Sequence, residues 1–196
     1  MDVHTAIETR RAFRSLDPIP ADEKLALDLA RHAQLAPSCN NNQPWRYVFV
    51  FEPAALAAMR PVFSSGNEWC YAASMIIAVF SRKVDDCIVR DREYHQFDTG
   101  MATALLILRA TELGLVAHPI AGFSPKKVRE VLAIPEPYQV ITLVLVGKHS
   151  ESMSPALSES QIAREKSRPE RLPLESFAFL NRYPEAAGPG GGEGQA

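Results

Sequence analysis

The sequence predicts an α+β protein, a central sheet flanked by helices, and three observations predict it. Residues 75–80 and 139–146 are continuous apolar runs of strand length, the pattern of strands covered on both faces. Residues 21–35 and 98–113 carry apolar positions at helical spacing. Proline, glycine and asparagine clusters at 17–20, 37–44 and 114 punctuate these stretches.

With 196 residues, 46% hydrophobic and 22% charged, the chain suits one buried core, which we assign to a single domain over 1–184. Residues 185–196 are dominated by Gly and Ala and bury too little to order, so a disordered Gly-rich tail is expected there. A net charge of −2 offers no field for nucleic acid. The N-terminus lacks a secretory apolar stretch, and Arg109 and Glu112 interrupt the apolar run at 101–117, so no membrane association is expected. The three cysteines, Cys39, Cys70 and Cys87, have no CxxC spacing and no even count, which predicts reduced thiols in the cytoplasm.

In order along the chain, Asp2 caps a first helix with Val3, Ile7 and Phe13 on its apolar stripe. Leu25, Leu29, His32 and Ala33 trace one face of the second. A strand over 47–51 follows, and Pro53 opens a short helix. Residues 81–97 are charged and irregular. Asp98 caps a long apolar helix that Gly114 ends. A short strand then turns at 121–123, and Ser124-Pro125 starts a helix with Val128, Val131 and Leu132 inward. The strand at 139–146 is closed by Gly147. Residues 150–160 read as a polar, mobile crossing segment.

No nucleophile stands beside a base, and the five histidines show no metal-ligand spacing, so no metal is expected. Neither a GxGxxG after a strand nor a P-loop is present. Two stretches nevertheless carry more chemistry than connectors need. Residues 36–45, APSCNNNQPW, crowd hydrogen-bonding side chains between a helix and a strand, although an Asx-rich turn satisfying its own backbone has the same composition. Residues 9–14, TRRAFR, put Arg10, Arg11 and Arg14 at a helix end. Each alone would complement the helix dipole; together their guanidinium forks suit phosphate oxygens.

In this order and distance the two stretches resemble the flavin signature of the nitroreductase family, an RRS-x-R segment followed one helix later by APS-x-x-N-x-QPW. Ala36, Pro37, Ser38, Asn41, Gln43, Pro44 and Trp45 keep that spacing, while Ala12 stands where serine is usual. The likeness runs from about residue 7 to about residue 176.

The resemblance implies a nitroreductase-like fold with a mixed or antiparallel sheet, a C-terminal extension exchanged across a homodimer, and FMN at the interface. It implies that Arg10, Arg11, Ala12 and Arg14 meet the flavin phosphate and pyrimidine edge. The turn of Pro119, Ile120, Ala121 and Gly122 would set the Ala121 amide against flavin N5, with Gly122 permitting close approach. Arg168 first, with Lys166 and Arg171 as the other candidates, would complete the phosphate site. The other subunit would contribute Pro37, Ser38, Cys39, Asn41 and Gln43, with Cys39 as a small buried residue near the ring. Asn67 falls where the family has a polar contact to the pyrimidine, and equally where a loop turn uses asparagine. Tyr94 and His95 are candidates for substrate contact, or else part of a solvated helix edge. FMN itself would carry two electrons from NAD(P)H to a nitroaromatic or quinone. Alternatives are reductive dehalogenation, desaturation or flavin fragmentation on the same fold, or flavin binding without turnover.

Overall fold

The computed structural model describes residues 1–184, so the tail expected over 185–196 lies outside the described residues. Asp2 caps α1 (Val3–Thr9) by accepting from the Thr5 amide at 2.8 Å. An extended segment leads through β1 (Leu16–Asp17) to α2 (Glu23–Gln34), capped by Asp22. After the Asn-rich loop come β2 (Arg46–Val50), α3 (Pro53–Met59) with proline in its first turn, and β3 (Met75–Ser81). A small hairpin of β4 (Ile88–Val89) and β5 (Arg92–Glu93) precedes α4 (His95–Glu112). The chain continues through β6 (Val116–Ile120), α5 (Pro125–Leu132), β7 (Gln139–His149) and α6 (Glu159–Lys166).

The sheet is antiparallel throughout. β7 is its axis: β3 pairs along one side with Ile77 opposite Val144, and β2 pairs on the far side of β3. On the other side of β7, β6 pairs over residues 143–147 and β1 takes over at Leu16 opposite His149. Because side chains alternate across a strand, the apolar run of β3 divides between two cores. Ile76, Ala78 and Phe80 pack with Val62, Trp69, Leu143 and Leu145 on one face. Met75, Ile77 and Val79 pack with Val144 and Val146 against Leu29 and Ala33 of α2 and Ala102 and Leu106 of α4 on the other. Burial on both faces is why these strands are apolar at every position.

Several elements depart from expectation. Asp98 lies inside α4, which begins at His95, so it does not cap that helix. β7 runs through Gly147 to His149; a Cβ at Gly147 would sit 3.2 Å from Leu16 Cβ, so this glycine makes room for β1 instead of ending a strand. Val3 and Ile7 are exposed on this single chain, and so is Val131. The segment expected to be mobile is fastened to Ser15, whose carbonyl accepts from the Ser150 amide at 2.9 Å and whose hydroxyl accepts from the Ser154 amide at 3.1 Å. It leads into α6, closed at its start by a Ser158–Gln161 capping box. Among the described residues no helix is long and apolar enough to cross a membrane.

His118 ties the N-terminal segment to the sheet. Its ring lies on Trp69 at 4.8 Å, and Nδ1 donates to the Phe13 carbonyl at 2.9 Å, a partner that can only accept. Burial pushes its pKa down to about 4, against the opposing effect of the Phe13 hydrogen bond. The unfolded chain therefore takes up a proton near pH 6.5 that the folded chain refuses until about pH 4, and stability falls as pH drops through that window. Between pH 7 and 4.5, wild type should lose about 2–3 kcal/mol more than His118→Asn, which keeps a donor at the Nδ1 position, in urea unfolding. Equal losses would refute the assignment.

Candidate functional site

The arginine segment is extended because buried groups hold it so. Glu165 of α6 is 5% exposed, and its carboxylate accepts from the Arg14 amide at 3.0 and 3.1 Å and from the Ser15 amide at 2.8 Å. Two arginines then cap each other's helices. Arg11 donates to the carbonyls of Arg164 and Glu165, both at 3.1 Å, at the end of α6. Arg168 donates to the carbonyls of Glu8 and Arg10 at the end of α1. Cations at these ends satisfy orphan carbonyls and complement the helix dipoles.

The result is a cleft of about 420 Å³ lined by Ala12 and by Arg10, Arg11, Arg14, Arg164, Arg168 and Arg171. Among the described residues none of these six cations forms an ion pair. Burial, then Arg168 and Arg171, lowers the Arg10 pKa; burial lowers that of Arg14, with Arg164 adding to the effect and Glu165 opposing it. Like charges held together in a partly desolvated concavity repel one another and raise the local positive potential. Of the C-terminal candidates, Arg168 and Arg171 reach the cleft and Lys166 is not among its lining residues.

From the cleft a chain of contacts runs to the 119–122 turn. The Arg14 guanidinium lies 5.6 Å over the Trp69 ring, Trp69 Nε1 donates to Asn67 Oδ1 at 3.2 Å, and Asn67 Nδ2 donates to the Gly122 carbonyl at 3.1 Å. A Cβ at Gly122 would come within 2.2 Å of Asn67 Nδ2, so only glycine lets this hydrogen bond form. Asn67 thus ties Trp69 to the turn, a bond pattern that suits the loop-turn asparagine the sequence offered beside the pyrimidine contact. Ala121 and Pro119 are exposed, while Ile120 points into the core and has only its backbone to offer.

The second group of sequence candidates forms a separate cluster. In the loop after α2, Asn40, Asn41 and Gln43 adopt left-handed backbone, and Ser38 Oγ accepts from the Gln43 amide at 3.0 Å. Asp98 Oδ2 accepts from the Cys39 amide at 2.7 Å. The expectation of reduced, unpaired cysteines is overturned: Cys39 is disulfide-bonded to Cys87, and on this single chain it is partly exposed. Only Cys70 is free among the described cysteines, and burial pushes its thiol up to about 12. His95, read from the sequence either as a substrate contact or as part of a solvated helix edge, is 4% exposed with Nδ1 at 2.8 Å from Ser81 Oγ; Tyr94 beside it is half-buried. Among the described residues no hydrogen bond joins this loop to the arginine cleft.

Sequence reasoning missed Arg164, Glu165 and Asp98 as site builders. Residues 159–166 read as a solvated charged helix, and nothing in the pattern distinguishes the one carboxylate that turns inward.

Residues 64–148 match the sequence model of the nitroreductase family. A protein of Stenotrophomonas maltophilia named as an NADH dehydrogenase/NAD(P)H nitroreductase is 32% identical over 142 residues, covering 62% of this chain and 70% of its own. An NADH dehydrogenase of Thermus thermophilus is 26% identical over 189 residues, with 80% and 91% covered. Among solved structures, an oxidoreductase containing FMN superposes with a TM-score of 0.79 at 27% identity, covering 94% of this chain and 93% of that one.

Glu165→Ala removes the only acceptor on the Arg14 and Ser15 amides named above and is expected to destabilise the chain by about 3 kcal/mol. The exposed Glu159→Ala on the same helix should change stability by less than about 1 kcal/mol. Comparing their urea midpoints with that of wild type checks this.

Proposed function

The chain belongs to the nitroreductase family, and on that premise we propose that it binds FMN and passes two electrons from NAD(P)H to a small acceptor such as a nitroaromatic or quinone. The observation that carries this reading is the cleft of six arginines, none of them in an ion pair among the described residues, connected through Trp69 and Asn67 to the turn at Ala121 and Gly122. The donor set fits the group: guanidinium forks match a phosphate dianion, and a turn pared down to glycine lets backbone approach a flat ring. Bound FMN would supply the two-electron exchange.

The residues divide the remaining work. Among the described residues Arg10, Arg14, Arg164 and Arg171 are the cleft cations whose donors are not engaged by helix ends, and of these Arg10, Arg164 and Arg171 would hold the phosphate. Arg11 and Arg168 keep the two helix ends in place. Arg14, fixed by its own backbone amide on Glu165, would set positive charge at the pyrimidine edge. The Ala121 amide would meet N5. His118 is neutral and buried at neutral pH, so it is no candidate for a general acid.

A homodimer would complete the site. Leu172, Leu174, Phe177, Leu180 and Tyr183 are all more than half exposed, and an apolar groove lined by Val3, Ala6, Leu35, Leu105 and Leu108 runs along α1 and α4. Large exposed apolar side chains and an apolar groove of this kind suit an interface. A second copy would bring Pro37, Ser38, Asn41 and Gln43 to the ring.

Wild type should elute yellow as a dimer, and its visible absorbance should bleach with NADH or NADPH under anaerobic conditions. Bleaching by neither nucleotide would leave only a flavin-binding role. Removing Arg10 and Arg171 together should cost about 1.5–3 kcal/mol per charge-assisted contact, enough to release FMN on gel filtration. Retention of the flavin by that double variant would refute the phosphate assignment. Arg14→Ala should bind FMN with a lowered midpoint potential; an unchanged potential would make Arg14 a structural cation.

A further inference from the structure

The turn Glu68–Ala72, which carries Trp69, borders a further cavity of about 230 Å³, enclosed with α3 and the turn Arg60–Val62. It shares no lining residue with the arginine cleft. Ile76 of β3, Ala73 and Cys70 are buried and form its floor. Burial pushes the Cys70 thiol up to about 12, so the floor carries no charge at neutral pH. The walls are Leu56 and Phe63, both partly buried, and Tyr71, whose ring centroid stands 6.1 Å from that of Phe63. Ala57 and Arg60 are exposed at the mouth.

Arg60 is the one charged residue lining this cavity. Its guanidinium lies 5.3 Å over the Tyr71 ring, a contact that holds the cation in place without giving it a counter-charge. Among the described residues Arg60 forms no ion pair. The turn that bears it is pinned by α5 and its cap: Lys127 Nζ donates to the Pro61 carbonyl at 3.2 Å, and the Ser124 amide donates to the Val62 carbonyl at 2.8 Å. The cation is therefore set in position before any ligand arrives. An apolar hollow with a single preset cation at its mouth matches a molecule that is apolar at one end and singly anionic at the other. A dry cavity of about 150 Å³ admits benzene, so this one has room for a single aromatic ring and its acid group.

We propose that this cavity is a binding site for a small aromatic carboxylate, with its ring against Phe63, Tyr71 and Ile76 and its carboxylate on the guanidinium fork of Arg60. The fork matches two carboxylate oxygens at once. Inorganic phosphate would leave the aromatic walls without a partner, and an uncharged ring would leave Arg60 without one. The argument uses none of the cleft arginines and does not rest on the flavin reading.

The test is a calorimetric titration of the full chain, as purified, with sodium benzoate. One saturable site per chain is expected, and benzamide, of the same shape without the charge, should bind at least tenfold more weakly. Arg60→Gln should weaken benzoate about tenfold or more by removing the charge-assisted contact. Ala57→Leu, which fills the mouth, should abolish binding. Both positions are exposed, so the urea midpoints of the two variants should stay at that of wild type. In hydrogen exchange, benzoate should protect peptides over 53–63 and 68–76 and leave 10–14 unchanged. The proposal is overturned by the absence of saturable binding, by equal affinity for benzamide, by binding that both variants retain, or by protection confined to 10–14. The last two outcomes would place the benzoate in the arginine cleft or elsewhere on the chain.

Discussion

The buried carboxylate of Glu165 is the constraint on which the rest of the site depends. Guanidinium groups repel one another, and a chain free to do so would spread Arg10, Arg11 and Arg14 into solvent. Glu165 prevents this by gripping the main chain, taking the amides of Arg14 and Ser15 while leaving their side chains unpaired. A carboxylate that paired with the guanidinium groups instead would neutralise the field. One that binds backbone fixes the segment and keeps the field available to a ligand.

The helix ends reinforce this arrangement. Arg11 and Arg168 exchange places, each capping the helix that precedes the other, so α1 and α6 are locked together through cations that also line the cleft. An anion in the cleft would therefore be coupled to the docking of the C-terminal segment on the N-terminal one. Neutralising the cleft relieves the repulsion that both helix ends sustain. The same economy recurs at the turn, where one asparagine joins the ring of Trp69 to the carbonyl of Gly122 and so carries the position of the arginine segment to the 119–122 backbone.

The Asn-rich loop is built by different means. Left-handed backbone at Asn40, Asn41 and Gln43 is costly for residues other than glycine, and it persists because a disulfide, the Asp98 carboxylate and the Ser38 hydroxyl hold the loop from three sides. A loop held this firmly is preorganised. Its asparagine and glutamine side chains are divided between the loop's own structure and whatever approaches it.

By itself the sequence determined the secondary elements whose signal is local. The strands predicted at 75–80 and 139–146 declare themselves by continuous apolar character, and the starts of α1, α3 and α5 by Asp2, Pro53 and Ser124. The spacing of the arginine segment and the APSCNNNQPW loop carried the family, because a motif is a one-dimensional object. Only the tertiary structure decided which charged groups face inward. Glu165 and Asp98 are ordinary helix carboxylates until a segment about 150 or 59 residues away presents an amide to them. Cys39 and Cys87 read as an unpaired remainder until the hairpin closes on the loop. The cleft takes Arg168 and not Lys166 because α6 ends at Lys166 and extended backbone at Ser167 carries Arg168 to the end of α1. Partner choice across such separations is set by the folded path of the chain, which no local pattern encodes.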